Sequence, residues 1–391
     1  MRYGNPGRLI LATFSSDGES KVKDLGIWDI VVVGGGLVGT ATALGMARDG
    51  ARVLILDASD TSFRASRGNF GLVWAQSKGA NSRDYATWTR SAVRAWPELQ
   101  DELRELAGVD THYETGLGLH LCLGEAEFDK RAAMIGRVAA HELPGDDVRM
   151  IDRDELAGIM PGIGPEVSGA SVSSLDGACH SLALYRGLSL AAQQAGATLM
   201  SNIAVTAITP EDAGYRIDAD GLCARAGKVL IAAGLATNDL ARPFGFPEIV
   251  LPQKGQILVT ERSAPVLPAV TSGLRQTAEG TILIGDTKEE TAEDRSTGAG
   301  MRQLASRAVR LFPAIGNLRI VRSWAALRVL TPDGHPVYDE SPTHPGIFVA
   351  TTHSGVTLAP AHRGPLAQWI MNGQRPPEFA NFTAQRFQQP N

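Results

Sequence analysis

The stretch "WDIVVVGGGLVGTATALGMARDGARVLILD", residues 28 to 57, constrains this chain more than any other. Ile30 to Val33 form a continuous β-branched run, which reads as a strand buried on both faces, as in a parallel sheet. Glycines follow at 34, 36 and 39, then a helix closing at Gly50, then a second apolar strand ending at Asp57. Gly34 permits a tight turn, Gly36 lets a pyrophosphate approach the backbone, and Gly39 lets helix and strand pack closely. The helix N-terminus offers amide donors and partial positive charge to phosphates. Asp57 is placed to accept hydrogen bonds from a ribose diol and to repel a 2′-phosphate. The β-α-β unit therefore implies a dinucleotide site. The pattern alone leaves FAD and NAD open.

The same letters admit a second reading. Between Asp29 and Arg48 lie 18 uncharged residues, preceded by Lys21 and Lys23, which is close to the length of a spanning helix. Gly34, Gly35 and Gly36 sit inside that run, and each interior glycine costs a helix about 1 kcal/mol. Strand, turn and helix explain it better, so no transmembrane segment is expected. Residues 1–26 read as an N-terminal extension with little pattern.

A length of 391 residues suits two domains. The net charge of −5, from 37 basic and 42 acidic residues with no block of like charge, argues against nucleic acid as a partner. Cys122, Cys179 and Cys223 form no C-x-x-C pair, so neither a metal site nor a disulfide framework is expected. That usage suits a reducing, cytoplasmic location, with a peripheral place at the inner membrane left open. Neither a G-x-S-x-G elbow nor an H-E-x-x-H helix is present, which gives hydrolase chemistry little support.

Further along, the apolar spacing predicts a helix from Tyr85 to Ala107 carrying Tyr85, Trp88, Ala92, Leu99 and Leu103 on one stripe. Helices are also expected from Glu125 to Ala140, Ser181 to Ala195, Met301 to Phe312 and Leu358 to Met371. The segments "TLMS", "AVTAIT", "YRIDA", "KVLIAAG", "GQILVT", "TILIGD", "IVRSWAALRVL" and "GIFVATTHSG" read as strands. "KVLIAAG" is apolar throughout and would return to the first sheet.

One loop does not fit these periods: "RASRGNFGLVWAQSKG", Arg64 to Gly79, which follows the nucleotide unit directly. Ser66 and the backbone near Gly68 and Gly71 could bond a pyrophosphate and the edge of a flavin. An NAD-binding unit would proceed to its next helix and strand.

With the Gly34–Asp57 fingerprint, the "SRGNFG" loop, and the C-terminal "WAALRVLTPDGHPV" and "THSGVTLAP" stretches, the chain resembles the D-amino-acid-oxidase/glycine-oxidase family of FAD-dependent oxidoreductases. Within it, "RGNFGLVWAQSKG" and "DGACHSLALYRGL" are most similar to the opine-oxidase branch, with hydrogen-cyanide synthase near. The resemblance implies an α/β fold, α+β overall. It has a Rossmann-like FAD-binding domain (27–80, 147–245 and 328–391) and an antiparallel-sheet substrate domain (81–146 and 246–327), discontinuous in sequence. It implies noncovalent FAD, with Gly34, Gly36, Leu37, Val38 and Gly39 at the pyrophosphate and Asp57 at the ribose. Ala65, Ser66, Phe70, Gly71 and Leu72 would line the phosphates and ring. Val205 would meet adenine through its backbone, and Gly234 would lie close to the cofactor. Thr352, His353, Ser354, Gly355 and Val356 would set backbone amides at the flavin N1/C2 edge.

By the same resemblance Arg328 takes the substrate carboxylate, which a guanidinium matches bidentately. The plainer reading of Arg328 is a structural ion pair. His353 stands where glycine oxidase has a second arginine. Donation to a carboxylate or flavin and simple packing stay open for it. The expected reaction is FAD-dependent oxidation of the C–N bond of an amino acid or opine-like N-substituted amino acid. The expected assembly is a hetero-oligomer with a second flavoprotein or iron–sulfur subunit. A free-standing oxidase of glycine, sarcosine or a D-amino acid stands beside this reading, as does a flavin-carrying subunit of an electron-transfer complex.

Overall fold

The computed structural model describes residues 22–59, 64–145, 147–285 and 287–388. The first strand, β1 (Lys23–Val33), is followed by helix α1 (Leu37–Arg48) and strand β2 (Val53–Asp57). Val31 of β1 pairs in parallel with Leu54 of β2 on one side and with Val229 of β3 (Leu222–Ile231) on the other. β2 also pairs in parallel with Thr198–Ser201, and β3 with β6 (Ile347–Thr351). β1 begins four residues inside the expected extension, with Lys23 opposite Leu222.

The apolar run of β1 has a direct packing cause. Ile30 and Val32 enter the core that contains Leu44, Trp96 and Leu188, whereas Val31 and Val33 enter the core of the opposite face with Ile217 and Ile231. With helices and loops on both faces, each β1 side chain there contributes roughly 1.5–3 kcal/mol of burial.

A second lobe has its own core, built from Leu121, Ile151, Val167, Leu258, Ile284 and Leu304. Two antiparallel strands organise it: β4 (Leu251–Arg262) and β5 (Ile320–Leu330), with Gln253 opposite Arg328. Beside them Gly118–Leu123, Arg149–Asp152 and Val167–Ser173 form another sheet. The sequence reading placed 147–173 within the FAD-binding domain; in the structure 167–173 pairs with 118–123, and 149–152 pairs with 167–173 in turn. Antiparallel pairing between distant segments leaves no local mark in the sequence.

The single helix expected from Tyr85 to Ala107 is two: α2 (Arg83–Arg94) and α3 (Trp96–Ala107). Pro97 is the cause, since it lacks an N–H and its ring clashes with the carbonyl four residues earlier. It sits instead in the first turn of α3, where neither defect matters. Among the described residues no helix is long and apolar enough to cross a membrane.

Candidate active site

The nucleotide turn is set by contacts that exclude any side chain. Gly34 has φ +112°, and a Cβ there would lie 2.4 Å from the Ala232 carbonyl oxygen. A Cβ on Gly39 would lie 1.9 Å from the Gly34 carbonyl oxygen, so α1 could not seat against the turn. The buried Asp57 carboxylate accepts from Gly35 N–H at 2.6 Å and from Ser59 N–H at 3.0 Å. It thus rigidifies the glycine turn as well as standing at the strand end where a ribose is expected. Ile203 N–H donates to the Asp57 carbonyl at 2.9 Å, which brings the segment of Val205 to this same end.

The loop that broke the periodicity closes over α1. Ala65–Gly68 form one helical turn. Ser66 Oγ accepts from Leu37 N–H at 3.0 Å, and a Cβ on Gly36 would meet that oxygen at 2.8 Å. Ser66 therefore stands over the N-terminus of α1, where the first amides of a helix lack intrahelical partners. Gly71, at φ +85°, accepts from Cys179 N–H through its carbonyl at 2.8 Å.

The second lobe holds the loop from the other side. Trp324 Nε1 donates to the Gly68 carbonyl at 3.0 Å, and Phe70 packs with Ile257, Leu283, Leu72 and Trp324. The Phe70 ring is thus committed to the interlobe contact.

A third segment completes the cleft. After β6 the chain turns through Thr352–Val356, and Gly355 lies against α1: a Cβ there would be 3.7 Å from Leu37 Cβ and 3.9 Å from Val38 Cγ2. Ser354 N–H donates to Thr352 Oγ1 at 3.1 Å, so this amide is already engaged within the turn. Thr357 Oγ1 accepts from Trp74 N–H at 3.1 Å and donates to the Leu72 carbonyl at 3.3 Å. Tyr85 OH lies 2.8 Å from Ser354 Oγ. Gly234, at φ +61°, closes the opposite wall, where a Cβ would sit 3.6 Å from Val329.

The guanidinium of Arg328 acts on His353 electrostatically. Arg328 lies across β4, where its guanidinium donates to Gln253 Oε1 at 2.7 Å and to the Thr287 carbonyl at 2.6 Å. That path exists because residue 255 is glycine; a Cβ would lie 2.3 Å from Arg328 Nη2. His353, in the turn after β6, has a solvent-exposed side chain. Desolvation, followed by the positive charges of Lys78, Arg328 and Lys288, holds its imidazole well below the ordinary histidine range. His353 is accordingly neutral at pH 7.

Glycine turn, Ser66 loop and Thr352–Val356 turn thus converge on the N-terminus of α1. Two buried oxygens beside it lack hydrogen-bond partners among the described residues: Asn69 Oδ1 on the loop and Thr351 Oγ1 at the end of β6. Unmet buried acceptors and hydroxyls are rare unless a ligand or water satisfies them. The residues therefore fit a long cofactor with polar edges. Sequence reading missed Thr357, Tyr85, Trp324 and Gly255. Thr357 and Trp324 had a signal, being part of "THSGVTLAP" and "WAALRVLTPDGHPV".

Fold and site together define a class: a two-lobed oxidoreductase carrying a dinucleotide on a β-α-β unit. The sequence matches the family described as "DAO: FAD dependent oxidoreductase" over residues 29–367, and the chain belongs to that family. It is 39% identical over 363 residues to an opine oxidase subunit of Rhizobium meliloti, covering 92% of this chain and 97% of that protein. It is 29% identical to the glycine oxidase of Geobacillus kaustophilus, over 83% of this chain and 87% of that one. The crystal structure of glycine oxidase from Geobacillus kaustophilus matches with a TM-score of 0.85 at 27% identity, covering 93% of this chain and all of the other. The question left open between FAD and NAD is thereby answered: this is an FAD-dependent enzyme.

Proposed function

We propose that the chain oxidises the C–N bond of an amino acid or opine-like N-substituted amino acid, yielding an imine that water hydrolyses to an amine and a 2-keto acid. The observation that supports this reading is the Arg328 guanidinium, held by Gln253 and the Thr287 carbonyl and acting electrostatically on His353 of the turn that lies against α1. FAD, held noncovalently, would supply the hydride acceptor.

The chain's own residues would do the rest. Arg328 would fix the substrate carboxylate through its planar guanidinium. Its Gln253 and Thr287 partners hold the guanidinium before substrate arrives, so little ordering remains on binding. The charges of Lys78, Lys288 and Arg328 disfavour a further positive charge nearby, and so favour the neutral amine that can give up hydride from its neighbouring carbon. His353, kept neutral, can donate one hydrogen bond without adding to that repulsion.

Gly34, Gly36, Leu37, Val38, Gly39 and Ser66 would hold the pyrophosphate, Asp57 the ribose, and Val205 the adenine. Ala65, Gly71, Leu72, Gly234 and Thr352–Val356 would border the ring. The similarity to the opine oxidase subunit, and to a hydrogen cyanide synthase subunit of Pseudomonas aeruginosa at 28% identity, supports a hetero-oligomer. Its partner would carry a second flavin or an iron–sulfur centre, and the assembly would work in the cytoplasm.

Anaerobic mixing of the FAD-loaded protein with opines, D-amino acids and N-methyl amino acids tests the reading. Bleaching of the flavin absorption by at least one such amine is expected. A spectrum unchanged by the whole panel would sink it.

A further inference from the structure

We propose that Glu289, gripped by the buried Lys254, is a positioning residue for the Arg328 guanidinium, and sets the affinity for a substrate carboxylate without touching it. The inference rests on the reading in which Arg328 takes that carboxylate.

β4 works from both of its faces. Side chains alternate along a strand, and the division shows where Ile257 packs with Phe70 and Trp324 while Leu258 enters the core of the second lobe. The odd positions serve Arg328 directly: Gln253 Oε1 accepts from its Nη1, and Gly255 leaves the space that its Nη2 fills. The even positions, Lys254 and Gln256, are buried, and both hold Glu289. Lys254 Nζ lies 2.9 Å from Glu289 Oε2, and Gln256 Nε2 donates to Glu289 Oε1 at 2.5 Å. Thr287 Oγ1 donates to that same Oε1 at 2.8 Å. The Thr287 carbonyl in turn accepts from Arg328 Nη2 at 2.6 Å. A continuous run of polar contacts thus joins the buried ammonium to the guanidinium.

The segment that carries Thr287 is fixed at both ends. Glu289 N–H donates to the Lys254 carbonyl at 3.0 Å, and Lys254 N–H to the Glu289 carbonyl at 2.8 Å. Gln256 N–H donates to Thr287 Oγ1 at 3.1 Å. Further along, Gln256 Oε1 accepts from Thr297 N–H at 2.7 Å, and Thr297 Oγ1 caps the helix Gly298–Leu311 by accepting from Gly300 N–H. Gly300 makes room for this: a Cβ there would lie 2.0 Å from Gln256 Nε2.

A lysine only 3% exposed is costly to bury, and an apolar residue of like volume would serve the fold as well. What the ion pair adds is fixed geometry. The bond from Lys254, the largest influence on it, holds the Glu289 carboxyl below the ordinary range, so it stays ionised and accepts from Thr287 as a charged group. A guanidinium ordered in advance gives more of its interaction energy to the ligand.

Propionate is the probe, a carboxylate with no amine to oxidise, and its binding to FAD-loaded protein is measured by calorimetry. Wild type is compared with Lys254→Met/Glu289→Ala, with Arg328→Met and with the triple variant. The paired change avoids the stranded buried charge that Glu289→Ala alone would leave. The paired variant should bind propionate about tenfold more weakly, the worth of one charge-assisted bond. In the Arg328→Met background the same pair should have no further effect, because the coupling runs through the guanidinium. Thr287→Val, which cuts the link and leaves the ion pair intact, should weaken propionate in the same Arg328-dependent way. Visible circular dichroism of the flavin checks that each variant retains its fold. A paired variant that binds propionate like wild type, or that loses the same factor with and without Arg328, overturns the proposal and leaves the amine-oxidation reading standing. Wild type that takes no propionate, or takes it equally well as Arg328→Met, ends the carboxylate role of Arg328 and this proposal with it.

Discussion

The Tyr85 hydroxyl and the Ser354 hydroxyl lie 2.8 Å apart, buried, joining the first turn of α2 to the turn that follows β6 across 269 residues of sequence. Burial raises the Tyr85 pKa to about 12, so the phenol is protonated at any working pH and the pair is a neutral hydrogen bond. Its ring is held by His335, with centroids 5.2 Å apart, and by Phe382 at 6.3 Å. A rigid phenol thus fixes the height of the turn that lies against Leu37 and Val38. Tyr85→Phe keeps the ring and removes the bond, leaving the Ser354 hydroxyl short of a partner at a cost of about 1–3 kcal/mol. FAD affinity, read from flavin fluorescence on dilution, should fall several-fold, and the flavin midpoint potential should shift. Unchanged values of both would show the pair to be mere packing.

Gly255 makes a companion prediction. Its missing Cβ is the space in which Arg328 Nη2 lies. Gly255→Ala should push the guanidinium aside without altering its charge. KM for a carboxylate substrate should rise about tenfold, a loss near 1.4 kcal/mol, while FAD stays bound with normal absorbance. If KM is unmoved, Arg328 does not hold the substrate where we place it.

How much of the molecule is legible in its sequence depends on the range of the interaction concerned. The β1–α1–β2 unit is contiguous, and its two buried faces and its glycine turn each leave a mark within about thirty residues, the span of a β-α-β unit. The Ser66 loop is conspicuous because it breaks every period around it, and it does close on Leu37 N–H. The pairing of 167–173 with 118–123 on one side and 149–152 on the other is not legible, since no turn chemistry announces a partner that far along the chain. Pro97 is in plain view. The apolar stripe runs through it because α2 and α3 both contribute to one core, with Trp88, Trp96 and Leu103 in the same cluster. Tyr85, likewise, is legible as a core residue and not as the partner of Ser354. A periodicity reports which face is buried, and says nothing of the hydroxyl at its end.

Asp57 carries two duties that one substitution can separate. Its two oxygens accept from Gly35 and Ser59 in the folded chain, before any ribose is considered. Asp57→Asn keeps the shape but turns an NH2 toward one of those amides, costing about 1–3 kcal/mol. FAD should bind at least tenfold more weakly, and urea denaturation of the apoprotein should show the same order of destabilisation. Weakened FAD binding with an unchanged apoprotein would assign Asp57 to the ribose alone.

Asp176 predicts a pH dependence of opposite sign to most carboxylates. It is fully buried, accepts from Ala75 and Gln76 N–H, and sits near Arg131, yet desolvation outweighs these and lifts its pKa from 3.8 to about 7. Between those two values the folded protein holds a proton that the unfolded chain has released. Stability contributed at this site is therefore full at low pH and is lost as pH rises toward 7. Half-buried His120 and buried His362 act the other way. Burial first, with Arg131 and Arg307 adding for His120, depresses each from 6.5 to about 3, so each weakens the fold as pH falls below 6.5. The whole-protein curve mixes these signs, but a difference curve isolates one of them. Urea denaturation of wild type and Asp176→Asn from pH 5 to pH 8 should show wild type losing stability relative to the variant as pH rises. The absolute offset is immaterial, since the amide gives up an acceptor that Ala75 and Gln76 use. Two parallel curves would mean that Asp176 stays ionised in the fold, and that the N–H groups of 75 and 76 outweigh its burial.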